Sequence, residues 1–212
     1  MTLFSNMLDG YARFLNSDWT VEHERWSELG EGQSPKVMVI ACSDSRVDPT
    51  QIFNTRPGEI FVVRNVAALV PPFETTPGLH GVSAALEFAV QFLKVEEIVV
   101  MGHGLCGGCK AALTKEMKGM EPGEGGFVAN WISLLDEAQA EVEALHGNSG
   151  TIAERAMEMA AVKVSLTNLR SFPCVRNKEA EGNLTLHGAV FSITDGQLHV
   201  LDEKSGEFAA TP

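Results

Sequence analysis

Three short runs in the first half of the chain are apolar almost without a break: residues 36–41 (KVMVIA), 59–64 (EIFVVR) and 97–101 (EIVVM). Strands that alternate apolar and polar have one wet face; continuous runs rich in Val and Ile suit parallel strands covered on both faces. Between the second and third runs, residues 77–93 place Leu79, Val82, Leu86, Ala89, Val90 and Leu93 at helical spacing. Strand, helix, strand in that order predicts a crossover unit of an α/β sheet. Beyond residue 106 the period turns helical, over 111–120, 128–145 and 152–169. Strand-like runs return at 185–194 and 197–201, around Asp195-Gly196, a pair that favours a tight hairpin. The first 30 residues also read as helical, with Trp19 and Trp26 seven apart on one face. The expected fold is therefore α/β: a central, mostly parallel sheet flanked by helices, an N-terminal helical arm and a C-terminal antiparallel edge hairpin.

The 212 residues show no Pro/Ser-rich linker, and the Gly-rich stretch 121–126 is short enough to be a loop, so a single domain over 1–212 is expected. A formal net charge of −12, with 16 scattered basic residues, argues against nucleic acid as a partner. No apolar stretch reaches the roughly 18–20 residues of a membrane helix, and the start of the chain has no signal-like apolar run. A cytoplasmic protein without a membrane partner is the expectation. There, the four cysteines at 42, 106, 109 and 174 are free thiols, metal ligands or redox groups rather than disulfides.

Chemistry concentrates at two strand ends. One run finishes in Cys42-Ser43-Asp44-Ser45-Arg46, the other in Gly102-His103-Gly104-Leu105-Cys106-Gly107-Gly108-Cys109. Ligands of open α/β sheets bind beyond the carboxyl ends of the strands, where such loops converge. Cys42, His103 and Cys106 make a three-ligand set of the kind catalytic zinc sites use, with a fourth position left for water. Thiolates favour zinc over magnesium or calcium, although cobalt and ferrous iron fit the same donors. Other readings of these residues stay open. Cys106 and Cys109 have the spacing of a dithiol redox pair, or Cys109 closes a four-ligand structural site. Gly102-x-Gly104-x-x-Gly107 imitates a dinucleotide fingerprint, but no strand-borne acidic residue follows about 20 positions on.

Cys-Ser-Asp-Ser-Arg at 42–46 and Gly-His-x-x-Cys-Gly-Gly at 102–108 together resemble the beta carbonic anhydrases. The similarity extends from the Gln-Ser-Pro at 33–35, through Pro57-Gly58-Glu59 and Arg64-Asn65-Val66-Ala67, to about Leu113. It continues loosely into Asn168-Leu169 and the terminal strands. The resemblance implies one zinc per chain on Cys42, His103 and Cys106, and an Asp44–Arg46 catalytic dyad. It also implies a carbon dioxide or bicarbonate pocket of Gln33, Phe61, Val66, Phe88 and Gly107, where Phe88 replaces the tyrosine of plant-like members. Part of that pocket comes from a neighbouring subunit in such enzymes, implying a homodimer or tetramer with the arm, 1–30, packed on a partner. A subgroup with an inhibitory bicarbonate site needs a tryptophan and a tyrosine where this chain has Val39 and Phe191, so only Arg64 remains and no such regulation is expected.

The implied activity is reversible hydration of carbon dioxide, a carbonate dehydratase (zinc lyase) reaction. Arg46 keeps Asp44 ionised, an ionised carboxylate only accepts hydrogen bonds, and a zinc-bound hydroxide donating to Asp44 leaves a lone pair for the substrate. Two thiolates soften the metal's charge, so activity should rise with pH through a value somewhat above about 7. His80, His23 and His146 are proton-carrier candidates by residue type alone. The competing functions are a carbonyl sulfide or carbon disulfide hydrolase on the same site, a closed structural zinc protein, and a thiol oxidoreductase.

Overall fold

The computed structural model describes residues 2–211. Met1 and Pro212, the outermost residues of the arm and of the domain expected from the sequence, lie outside them. Two compact units divide between Ser34 and Pro35.

The N-terminal unit is helical, as expected, but broken: α1 (Leu3–Asn16), α2 (Asp18–Val21) and α3 (His23–Gly30). Thr2 caps α1 by accepting the Ser5 N–H. The breaks fall at Ser17 and Glu22, whose backbones leave helical geometry. Trp19 and Trp26 nevertheless meet, with ring centroids 5.4 Å apart, and Phe14 stands edge-on to Trp26.

The second unit contains one six-stranded sheet among the described residues, in the order β2-β1-β3-β4-β5-β6. Its strands are β1 (Val37–Cys42), β2 (Ile60–Asn65), β3 (Glu97–His103), β4 (Thr185–Phe191), β5 (Leu198–Asp202) and β6 (Glu207–Ala210). β1 through β4 are mutually parallel; β5 and β6 add antiparallel at one edge. Asp195-Gly196 makes the turn between β4 and β5, with Gly196 in the left-handed region at φ 75°. β6 was not foreseen, because four residues are too few to show a period. β1 and β3 each run further than their apolar stretch and deliver Cys42 and His103 as terminal residues.

The helices are α4 (Pro49–Ile52), α5 (Gly81–Glu87), α6 (Gly107–Thr114), α7 (Gly126–Ile132), α8 (Asp136–His146), α9 (Thr151–Ser171) and α10 (Pro173–Ala180). Three expectations need correction. The helix expected over 111–120 begins earlier, at Gly107, and ends at Thr114. The helix expected over 77–93 starts only at Gly81 and continues as a wider turn over Phe88–Leu93, so Leu79 precedes it and is fully exposed. The helix expected over 128–145 is two, separated by a 3-10 turn at Ser133–Leu135.

The central crossover helix α9 lies against β3 and β4, burying Met157, Ala161, Val162, Leu166 and Leu169. Two glycines on those strands let it approach. A Cβ at Gly102 would come within 2.8 Å of Val162 Cγ2, and one at Gly188 within 2.9 Å of both Val162 Cγ1 and Leu166 Cδ1. Close-packed interiors resist such additions, by about 1–3 kcal/mol for an extra methyl or so. Gly188→Ala is accordingly expected to lower the unfolding free energy by about 1–3 kcal/mol in urea titrations; unchanged stability would contradict this packing.

Candidate metal centre

Because β1 and β3 are parallel neighbours, in register through Ala41 and Met101, their carboxyl ends open on the same side of the sheet. Cys42 closes β1, His103 closes β3, and Cys106 caps the start of α6. One ligand atom from each lies within 4.8 Å of the others. All three residues are buried, at 5%, 1% and 3% exposure. The two Sγ atoms are 4.0 Å apart. That is about twice a disulfide bond and near the roughly 3.8 Å that two thiolates at ~2.3 Å from one tetrahedral zinc would show.

His103 Nδ1 lies 2.9 Å from the Gly104 carbonyl, so Nδ1 carries the proton and donates it. Among the described residues, Nε2 is left buried with no hydrogen-bond partner. An orphaned imidazole nitrogen beside two thiols is the donor set of a soft or borderline cation, and zinc fits it. Among the described residues, Cys109, though buried, is not part of the three-residue cluster. Without a cation, the thiols hold their protons strongly. Cys42 is pushed up to about 12 by the neighbouring Cys106 thiol and by burial. Cys106 is pushed up to about 12, first by the Cys109 thiol. Metal uptake must expel those protons.

Asp44 faces the cluster, with Oδ2 3.9 Å from His103 Nε2. Arg46 grips it in a two-pronged ion pair: Nε donates to Oδ1 at 2.9 Å and Nη2 to Oδ2 at 2.6 Å, while the Arg46 backbone N–H adds a third bond to Oδ1. The guanidinium holds the Asp44 carboxyl well below the usual carboxylate range, against a smaller opposing effect of burial. Asp44 is thus a fixed acceptor of hydrogen bonds at any physiological pH.

The loops that carry these groups are tied down by neighbours. Arg64 on β2 spends four of its five N–H donors on the segment 42–48. It bonds the carbonyls of Cys42, Asp44 and Val47 and the carboxylate of Asp48. The Asn65 side chain bonds Leu69 through both its oxygen and its nitrogen. This closes a turn in which Ala67 and Ala68 both take left-handed backbone angles. That turn packs on Gly108, where a Cβ would meet Val66 Cγ1 at 2.7 Å and Ala67 Cβ at 3.1 Å. On the other side, Arg46 Nη2 donates to the Leu105 carbonyl at 3.0 Å, and Glu158 of α9 accepts the Cys106 N–H at 3.3 Å.

The carbonic anhydrase family model matches residues 37–198, which include both motifs and the whole ligand cluster. A carbonic anhydrase of Pseudomonas aeruginosa is 36% identical over 205 residues, covering 97% of this chain and 90% of its own length. The chain belongs to the beta-carbonic anhydrase family. Beta carbonic anhydrase 5, chloroplastic, of Arabidopsis thaliana is 35% identical over 91% of the chain, which spans 63% of that relative's length. Among solved structures, the beta-carbonic anhydrase CcaA superposes with a TM-score of 0.91 at 26% identity, covering 99% of this chain and 100% of its own. One of two tetrameric beta-carbonic anhydrases of Sordaria macrospora gives 0.80 at 27% identity, covering 99% and 98%.

Within one beta-carbonic anhydrase chain, the residues named from the sequence do not all converge. Gly107 opens α6 next to Cys106, and Val66, partly exposed, follows β2 beside Gly108. Phe61 pairs with Phe88 at 6.0 Å between ring centroids, and Phe88 stacks on the exposed Phe92. Phe61 lies opposite Met38, four residues short of Asn65, the partner of Cys42. At ~3.3 Å per residue it is about 13 Å along the strand from the cluster. Gln33 belongs to the N-terminal unit and is exposed. His80 shares a surface depression of about 440 Å³ with Asn65, Val66 and Trp131, whereas His146 ends α8 and His23 lies in the N-terminal unit. Arg64 and Glu158 were missed in the supporting roles they hold here. Glu158 had a signal: a carboxylate inside the buried stripe of α9, between Met157 and Ala161.

Arg64 is the test of this scaffold. Arg64→Leu leaves three carbonyls and a carboxylate without their donor, and charged hydrogen bonds are worth about 1.5–3 kcal/mol each at most. The variant is expected to lose about 2–3 kcal/mol in urea unfolding and to release bound metal to a chelator faster than the parent. Parent-like behaviour in both assays would contradict the arrangement.

Proposed function

We propose that this chain hydrates carbon dioxide reversibly to bicarbonate and a proton, with one zinc ion held by Cys42, His103 and Cys106. The observation that carries the reading is the buried Cys-His-Cys cluster, with its orphaned His103 Nε2, facing an Asp44 that can only accept. Zinc, when bound by such donors, brings the ionisation of a coordinated water toward neutral pH and so supplies the nucleophile.

The chain's own groups then decide orientation. A water in front of Asp44 must donate to it, because the ionised carboxylate offers no proton, so the water's free lone pair turns away from Asp44. Arg46 fixes the carboxylate plane and is itself fixed by the Leu105 carbonyl. Val66 and Gly107 provide an apolar, uncrowded approach for an apolar gas. Burial keeps bulk water off the two sulfurs, and the first-strand loop, pinned by Arg64, keeps Asp44 in range. Arg64 is committed to that loop, and Val39 is core; both support the absence of a regulatory bicarbonate site there.

The assembly we propose is a homodimer or tetramer. The Phe61–Phe88 pair, distant from its own chain's cluster and partly exposed, is suited to complete the pocket of a neighbouring subunit, and Gln33 with the arm over 1–30 is assigned to the same contact. The likeness to a tetrameric beta-carbonic anhydrase supports this. We assign 1–212 as one working domain acting in the cytoplasm. Among the described residues no helix is long and apolar enough to cross a membrane.

Stopped-flow hydration of carbon dioxide on protein of measured zinc content tests the reading. The parent is expected to hold about one zinc per chain and to hydrate faster as pH rises through neutrality. Asp44→Asn should keep its zinc and lose roughly 100-fold in rate, the scale of a positioned proton-handling group. Cys109→Ser should keep both zinc and rate. Full zinc without hydration would contradict the assignment in favour of a sulfur-substrate hydrolase; zinc lost in Cys109→Ser would favour a closed structural site.

A further inference from the structure

Among the described residues, Glu158 is the one buried carboxylate, and the reaction as described does not use it. Its surroundings show a task. Oε1 accepts the backbone N–H of Cys106 at 3.3 Å, and Oε2 faces Arg155 Nη1 at 3.6 Å. The Cys106 N–H belongs to the same peptide unit as the Leu105 carbonyl, and that carbonyl accepts from Arg46 Nη2 at 3.0 Å. One peptide plane is therefore held at both poles, by the arginine of the Asp44–Arg46 pair on one side and by Glu158 on the other. The unit needs holding: Leu105 sits at φ 58°, a left-handed conformation that a branched, non-glycine side chain adopts only under constraint. Leu105 is also half-exposed, so packing of its side chain does not supply that constraint.

We infer that Glu158 is a positioning residue for the metal centre, acting through the Leu105–Cys106 peptide to aim the Cys106 sulfur and, through Arg46, to hold Asp44 in place. The inference rests on the reading of Cys42, His103 and Cys106 as zinc ligands. Groups that orient metal ligands by hydrogen bonds typically contribute about 10–100-fold to metal affinity. The side chain is long enough to reach the loop from the centre of α9, and α9 is anchored to the sheet at Gly102 and Gly188, so the loop takes its position from the core.

Zinc retention and the cobalt spectrum test this without reference to catalysis. Zinc transfer to a chromophoric chelator would be followed in the parent, Glu158→Gln and Glu158→Leu, beside visible spectra of the cobalt-substituted proteins. Gln keeps an oxygen acceptor of the same reach and should retain zinc within about threefold of the parent, with the parent's cobalt bands. Leu fills the space without accepting; it should bind zinc about 10–100-fold more weakly and show shifted bands. If Glu158→Leu does not fold, Glu158→Asp, one methylene too short to reach the Cys106 N–H, should show the same loss. Parent-like zinc retention and bands in the non-accepting variant would overturn the inference, as would an equal loss in Gln and Leu. A parent that takes up no zinc would instead overturn the ligand assignment itself, and a parent that binds zinc but does not hydrate carbon dioxide would leave this inference standing.

Discussion

Two thiols and an imidazole nitrogen share one buried pocket within 4.8 Å, and the rest of the site is organised around that crowding. Buried polar groups need partners, and among the described residues His103 Nε2 has none, while the Cys42 and Cys106 sulfurs lie 4.0 Å apart. A cation resolves the conflict by pairing with all three at once. The sheet makes the convergence possible, since only parallel neighbours bring two carboxyl ends to one side, and β1 and β3 are such neighbours.

Around that pocket, charge is distributed by layer. Asp44 faces the cluster and remains ionised because Arg46 grips it. Arg64, one strand over, fixes the backbone between Cys42 and Asp48. Glu158 reaches the Cys106 N–H from α9. Burial pushes its carboxyl up from the usual carboxylate range, opposed by the Cys106 N–H and by Arg155. A buried charge without compensation is strongly destabilising, so the placement of Glu158 against a backbone N–H and an arginine is what makes it tolerable there.

Much of this was legible along the chain because the relevant signals are local. Continuous Val/Ile runs mark β1, β2 and β3, the ends of β1 and β3 carry the Cys42 and His103 of the cluster, and Asp195-Gly196 marks the hairpin. What escaped depends on contacts between distant residues. The backbone of Ala67 and Ala68 is left-handed because Asn65 and Gly108 shape the turn, and no property of alanine announces it. Leu79 sits in helical phase with Leu86 but precedes the helix start at Gly81. The breaks at Ser17 and Glu22 divide a segment whose period is unbroken. Arg64 partners residues 16 to 22 positions earlier, and Glu158 one 52 positions earlier, so neither role could be read from spacing.

X-ray absorption at the zinc edge of the purified protein tests the central claim most directly, because it counts the ligands. Two sulfurs at about 2.3 Å and one imidazole nitrogen at about 2.0–2.1 Å, with one further light atom, are the result this account predicts. Three sulfurs in the first coordination sphere would contradict it, since Cys109 would then have joined a closed site with no place for substrate chemistry.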